Sequence, residues 1–150
     1  MIVLSRIDSR LIHGQVIEAW LPHLSIERVV VADSTAAGDA LARAVMGLAV
    51  PPDIEIVLGG VDALDFKAMA HDATRTLVLF RDVETVLAAR ARGLPNGPLN
   101  LGNVHSGPGR TAVSRSVFLT DADREHLKAL RTSGMQVTVQ AVPAEKPVSF

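Results

Sequence analysis

The sequence predicts an α/β fold, an open and mostly parallel sheet with helices on both faces. Two observations carry this. Short apolar runs alternate with helical patterns along the chain, and strands joined through helices make right-handed crossovers that cover both sides of a parallel sheet. No internal repeat, low-complexity tract or linker interrupts the alternation, so residues 1–150 are read as a single domain, long enough to bury a core of its own.

Ile2–Ile7 is read as the first strand and Val16–Leu21 as part of the following helix, stopped by Pro22. Val29–Ala32 is a second, buried strand. Leu41, Val45 and Leu48 mark one face of a helix that Pro51-Pro52 ends. Ile54–Leu58 is a third strand, closed by Gly59-Gly60, and Val61–Ala70 a helix of weaker periodicity. Thr76–Phe80 is the fourth strand, and Asp82 suits the cap of a helix carrying Val83, Val86 and Leu87 inward. Pro95-Asn96-Gly97-Pro98 marks a turn before a fifth strand, Leu99–Gly102, and a glycine-rich polar loop then runs to Gly109. Ser116–Leu119 is read as a sixth strand. Thr120-Asp121-Ala122-Asp123 has capping-box spacing for a helix that buries Leu127 and Leu130 and ends near Gly134. Gln136–Val142 is the last strand, and the tail after Pro143 is expected to be loosely held. The chirality rule leaves several strand orders open.

Composition narrows the function classes. Hydrophobic residues make up 48% of the chain, yet no unbroken apolar stretch approaches the roughly 18–20 residues a bilayer span needs. The first residues include Arg6 and Asp8 and lack the long apolar core of a signal peptide, which points to the cytoplasm. Cysteine is absent, so disulfides, zinc–thiolate sites and thiol catalysis are excluded. With 15 basic and 16 acidic residues, no global field favours nucleic acid or acidic lipid. An aromatic content of 3% argues further against base stacking with single strands.

One histidine stands out. His13 lies in Ser9-Arg10-Leu11-Ile12-His13-Gly14-Gln15-Val16, the turn between the first strand and its helix. In open parallel sheets ligands collect outside the carboxyl ends of strands, where helix starts offer unpaired N–H groups and a positive dipole end. Arg6 and Arg10 flank the ring and offer charge to a phosphoryl group. Asp8 either orients an imidazole N–H, holds Arg10, or caps the turn. Gly14 lets the backbone approach a phosphoryl group closely, or simply forms a tight turn. Gln15 is read as a phosphate contact or a polar first-turn residue. Across the crevice, the amides of the loop from Gly102, helped by Arg110, could cradle phosphate, or the loop could be plain surface. His105 lies in that loop and competes with His13. A metal on His13, His105 and Asp8 is disfavoured, because no short metal-binding spacing is present. Asp33-Ser34 lines the same crevice or caps a helix. His23, His71 and His126 are read as solvated, and Trp20 as packed beside the first helix.

The segment Arg6-Ile7-Asp8-Ser9-Arg10-Leu11-Ile12-His13-Gly14-Gln15-Val16 resembles the phosphorylation site of the enzyme IIB component of the mannose/fructose/sorbose class of the bacterial sugar phosphotransferase system. Asn100-Leu101-Gly102-Asn103-Val104 is similar to that family's second signature, and the likeness extends over essentially the whole chain. The resemblance implies that His13 carries a transient phosphate, received from an enzyme IIA domain and passed to a sugar held by the membrane components IIC and IID. Phosphoryl transfer relies on in-line positioning and charge stabilisation. One ring nitrogen attacks while a backbone carbonyl or Asp8 holds the other, and Arg10, Arg6 and turn amides stabilise the dianion. No cofactor is called for, and neither a G-x-x-x-x-G-K-[ST] loop nor a G-x-G-x-x-G turn is present. A regulatory phosphoprotein with the same His13 chemistry but no sugar acceptor is the alternative, and a small-anion-binding module a further one. The sequence is compatible with a homo-oligomer.

Overall fold

A computed structural model describes residues 1–150. Its strands are β1 (Ile2–Asp8), β2 (Arg28–Ala32), β3 (Glu55–Gly59), β4 (Thr76–Phe80), β5 (Pro98–Asn103), β6 (Thr111–Ala112), β7 (Phe118–Leu119), β8 (Gln136–Val139) and β9 (Val148–Ser149). Seven of them form one sheet in the order β3-β2-β4-β1-β5-β8-β9. Every pairing in that sheet is parallel except β8 with β9. The expected α/β architecture with an open, mostly parallel sheet is therefore present.

Alternation along the central strands explains why both faces are covered. Val30 and Ala32 of β2 and Val78 and Phe80 of β4 point into one core, while Val29, Val31, Leu77 and Leu79 point into the other. The first core is roofed by α4 (Phe66–His71), α5 (Val83–Ala91) and α6 (Asp121–Thr132). The second lies under a π-helical segment, Val16–Trp20, continued by the short α1 (Leu21–His23), and under Ala36 of α2 (Ser34–Gly38). No helix is long and apolar enough to cross a membrane.

Several elements depart from expectation for identifiable reasons. Pro22 does not stop the first helix, which continues to His23. The wide winding before it, with Leu21 N–H bonded back to the Val16 carbonyl, puts Pro22 in the first turn of α1, where a missing N–H is tolerated. The stretch 61–70 is broken into a 3₁₀ turn, Val61–Ala63, and α4, because the Asp65 carboxylate accepts from Ala68 N–H and starts a new helix. Of the expected sixth strand, Phe118–Leu119 pairs with β6 outside the main sheet, and Val117 makes an isolated parallel bridge to Val104. The last core strand ends at Val139. The tail is not loose: Val148 pairs with Val139, and Phe150 N–H bonds to the Val137 carbonyl.

Leu41, Val45 and Leu48 do lie along one side of a helix, α3 (Ala40–Ala49), but that side faces solvent, with Leu48 88% exposed. The half-buried Met46 packs against the core instead. Replacing Leu48 by glutamine is expected to leave the thermal midpoint essentially unchanged, within about 0.5 kcal/mol. A loss of several kcal/mol in a melting experiment would mean that Leu48 is buried in solution.

Candidate active site

β1 sits in the middle of the sheet, between β4 and β5. The chain leaves its carboxyl end toward β2 on one side, while β5 leads on to β8 on the other, so a crevice opens there. Its floor is Asp8. The Asp8 carbonyl accepts from Leu11 N–H at 2.9 Å, its Oδ1 accepts from Arg10 N–H at 3.0 Å, and Ser9 N–H bonds to the Asn103 carbonyl at 2.7 Å. Leu11 closes the turn at φ +56°, a left-handed conformation unfavourable for a branched side chain, and its burial in the core beneath anchors it.

This turn delivers His13 back onto Asp8. Nε2 of the ring lies 2.8 Å from Asp8 Oδ2, the imidazole is only 7% exposed, and Nδ1 has no hydrogen-bond partner. With the carboxylate as acceptor, Nε2 carries a proton. The first backbone bond of the helix runs from Ile17 N–H to the His13 carbonyl at 3.1 Å, so the N–H groups of Gly14, Gln15 and Val16 have no intrahelical acceptor. Gly14 and Gln15 are exposed, and a Cβ on Gly14 would point into open space. Arg10 is exposed, and its guanidinium forms no hydrogen bond or ion pair. His13, Asp8, Arg10, Gly14 and Gln15 are thus brought together.

Arg6 is placed elsewhere than beside the open side of the ring. It is wholly buried on the core side of Asp8, 0% exposed. Nε and Nη2 donate to Asp8 Oδ2 at 3.1 and 2.9 Å, and Nη1 donates to Asn100 Oδ1 at 2.5 Å and to the Gln140 carbonyl at 3.3 Å. The guanidinium also lies 5.1 Å from the centre of the Trp20 ring, a cation–π contact, while Trp20 Nε1 donates to the Ala141 carbonyl. Burial pulls the Arg6 pKa down, and the charge and hydrogen bonds of Asp8 work against that pull. Gly102 lines this buried lane rather than the outer crevice: a Cβ on it would fall 1.9 Å from the guanidinium carbon.

The opposite loop touches the turn through its backbone. His105 N–H donates weakly to Ser9 Oγ at 3.4 Å, and Arg110 Nη1 donates to the His105 carbonyl at 2.8 Å. Arg110 therefore braces the loop, and the exposed His105 ring does not join the Asp8 cluster. Asp33 caps α2 through Ala36 N–H and forms a two-bond ion pair with Arg81, whose Nη1 points at the Ser9 carbonyl from 3.4 Å. Burial raises the Asp33 pKa, but the hydrogen bonds from Arg81 and Ala36 and the Arg81 charge outweigh it and leave it below the usual carboxylate value. Sequence reading missed Arg81 and Gln140 as participants, and placed Asn100 in a signature without assigning it to Arg6. Arg81 carried one signal, its place directly after a strand's carboxyl end. The two largest concavities, about 410 and 430 Å³, are not lined by His13.

Residues 2–150 match the family described as PTS system sorbose subfamily IIB component. The chain is 30% identical over 150 residues to the N-acetylgalactosamine-specific phosphotransferase enzyme IIB component 2 of Escherichia coli (strain K12), covering 99% of this chain and 96% of that relative. The mannose-specific EIIAB component of the same organism is 26% identical over 147 residues, which is 97% of this chain but 46% of that longer protein. Among solved structures, the E. coli N-acetylgalactosamine-specific IIB component 1 superposes with a TM-score of 0.91 at 26% identity, covering 100% of this chain and 99% of that one. The chain belongs to the sorbose-subfamily IIB components of the phosphotransferase system, phosphoryl carriers of sugar uptake.

Proposed function

We propose that His13 takes a phosphoryl group from a IIA domain and gives it to a sugar held by the membrane components IIC and IID. The observation that carries this reading is the ring held by Asp8 at Nε2 with Nδ1 unpartnered. An imidazole fixed in this tautomer presents one nucleophilic nitrogen in one direction. In the first step the bond between Nδ1 and phosphorus forms as the donor's N–P bond breaks, and the donor imidazole leaves neutral. In the second, a sugar hydroxyl oxygen attacks phosphorus, the Nδ1–P bond breaks, and the hydroxyl proton passes to solvent. Nδ1 is covered in this structure, so the ring or the Leu11–Gln15 turn moves when the donor docks. The unpaired Arg10 guanidinium and the free N–H groups of Gly14 and Gln15 then meet the phosphoryl oxygens.

The ring lines no pocket of ligand size, which suits a group that exchanges phosphate with partner surfaces. The mannose-specific EIIAB relative supports a IIA partner, and the sugar-specific names of the relatives give no support to a purely regulatory role. In this reading residues 1–150 work as one domain in the cytoplasm.

Phosphoenolpyruvate, the general phosphotransferase proteins and a cognate IIA domain should add one acid-labile phosphoryl group, seen by intact mass and mapped to the peptide bearing His13. Rapid-quench transfer should slow about 10²–10³-fold in Arg10→Ala, the scale of one preorganised donor, and Arg10→Lys should stay slow for want of the planar fork. Label mapping to His105, or unchanged rates in both variants, would overturn these assignments.

A further inference from the structure

We propose that Arg6 is a positioning residue for phosphoryl transfer: through the lane left open by Gly102 it pins and neutralises Asp8, so that Asp8 orients His13 without turning the ring into an imidazolium. The proposal rests on the reading of His13 as the phosphoryl carrier. Its basis is a single oxygen. Asp8 Oδ2 receives Arg6 Nε, Arg6 Nη2 and His13 Nε2 at 3.1, 2.9 and 2.8 Å, while Oδ1 is occupied by Arg10 N–H at 3.0 Å. A carboxylate beside an imidazole ordinarily stabilises the charged ring, which has no lone pair with which to attack phosphorus. Here a buried guanidinium already balances that carboxylate, and it cannot wander. Asn100 Oδ1, the Gln140 carbonyl and the Trp20 face hold its far side, and it occupies the space a Cβ on Gly102 would fill.

The other charged groups around the turn do not substitute for it. Arg10 points outward and meets Asp8 only through its backbone. Arg81 is paired with Asp33, and His105 lies on the β5 loop. The charge balance of the Asp8–His13 pair therefore depends on Arg6.

The test follows the His13 ring by long-range ¹H–¹⁵N correlation spectra across pH, with phosphoryl transfer from IIA measured on the same samples. In the unmodified protein the Nε2–H tautomer should predominate at neutral pH. In Arg6→Gln the ring's titration midpoint should rise by about one pH unit or more, with transfer slowed at neutral pH and recovering as pH is raised. Arg6→Lys keeps the charge and should return the midpoint toward that of the unmodified protein. If Arg6→Gln does not fold, Asn100→Ser, which loosens the guanidinium without touching Asp8 or His13, should shift the midpoint in the same direction by less. Ring spectra and pH–rate profiles identical to the unmodified protein in the folded variants would overturn the proposal. Failure of the unmodified protein to take phosphate on His13 would instead overturn the carrier reading on which it rests.

Discussion

Replacing His13 with alanine is expected to abolish acid-labile phosphorylation while leaving the fold intact. The first half follows from chemistry, since no other side chain at this turn offers an unprotonated ring nitrogen. The second follows from the hydrogen-bond inventory. The ring's sole hydrogen bond is to Asp8, and without it Asp8 Oδ2 still accepts twice from Arg6. A hydrogen bond to a charged group is worth about 1.5–3 kcal/mol, a loss offset in part because the substitution also removes the buried, unpartnered Nδ1. Thermal denaturation and intact-mass labelling together decide the matter. Phosphate persisting on the alanine variant would refute the assignment, and a collapsed melting transition would mean that the ring supports the fold.

Gly102→Ala should do the reverse and damage stability first. A methyl group there would lie 1.9 Å from Arg6 Cζ and 2.1 Å from its Nη1, inside any tolerable contact. The guanidinium would have to leave its lane, and Asp8, which is wholly buried, would lose its counter-charge. Breaking a buried pair from one side costs about 3–5 kcal/mol, a large share of the roughly 5–15 kcal/mol that holds a domain together. A double-mutant cycle makes the cause visible: in an Arg6→Ala background, with the lane emptied, the same glycine substitution should cost much less. If Gly102→Ala alone changed the denaturant midpoint little, the lane would be far more yielding than its packing indicates.

The strands were legible because β2 and β4, buried on both faces, are continuous apolar runs, and the α6 start because Thr120 and Asp123 cap each other as their spacing dictates. The face presented by α3 was not. In a helix as apolar as Ala40–Ala49, periodicity marks a stripe but does not say which side turns inward, and α3 packs mainly against α2 rather than across the sheet. The site divides in the same way. Arg6 and Asp8 stand two residues apart on one strand and so share a face, which makes their contact readable in principle. That Asn100, Gly102, Gln140 and Trp20 would enclose the guanidinium depended on the strand order, with β5 beside β1 and β8 beside β5, and that order was open until the fold was known.

Trp20 gives this arrangement an optical consequence. It is the only tryptophan, and the chain has no tyrosine, so near-ultraviolet excitation yields emission from one indole. That indole lies 5.1 Å from the Arg6 guanidinium, which bonds to the carboxylate that holds His13. A phosphoryl group on the ring would place a dianion at the far end of this short chain of charges, and the indole's emission should respond to the field along it. If His13 carries phosphate as proposed, Trp20 emission is expected to change as the ring is charged and discharged, a signal stopped flow would read with no label attached.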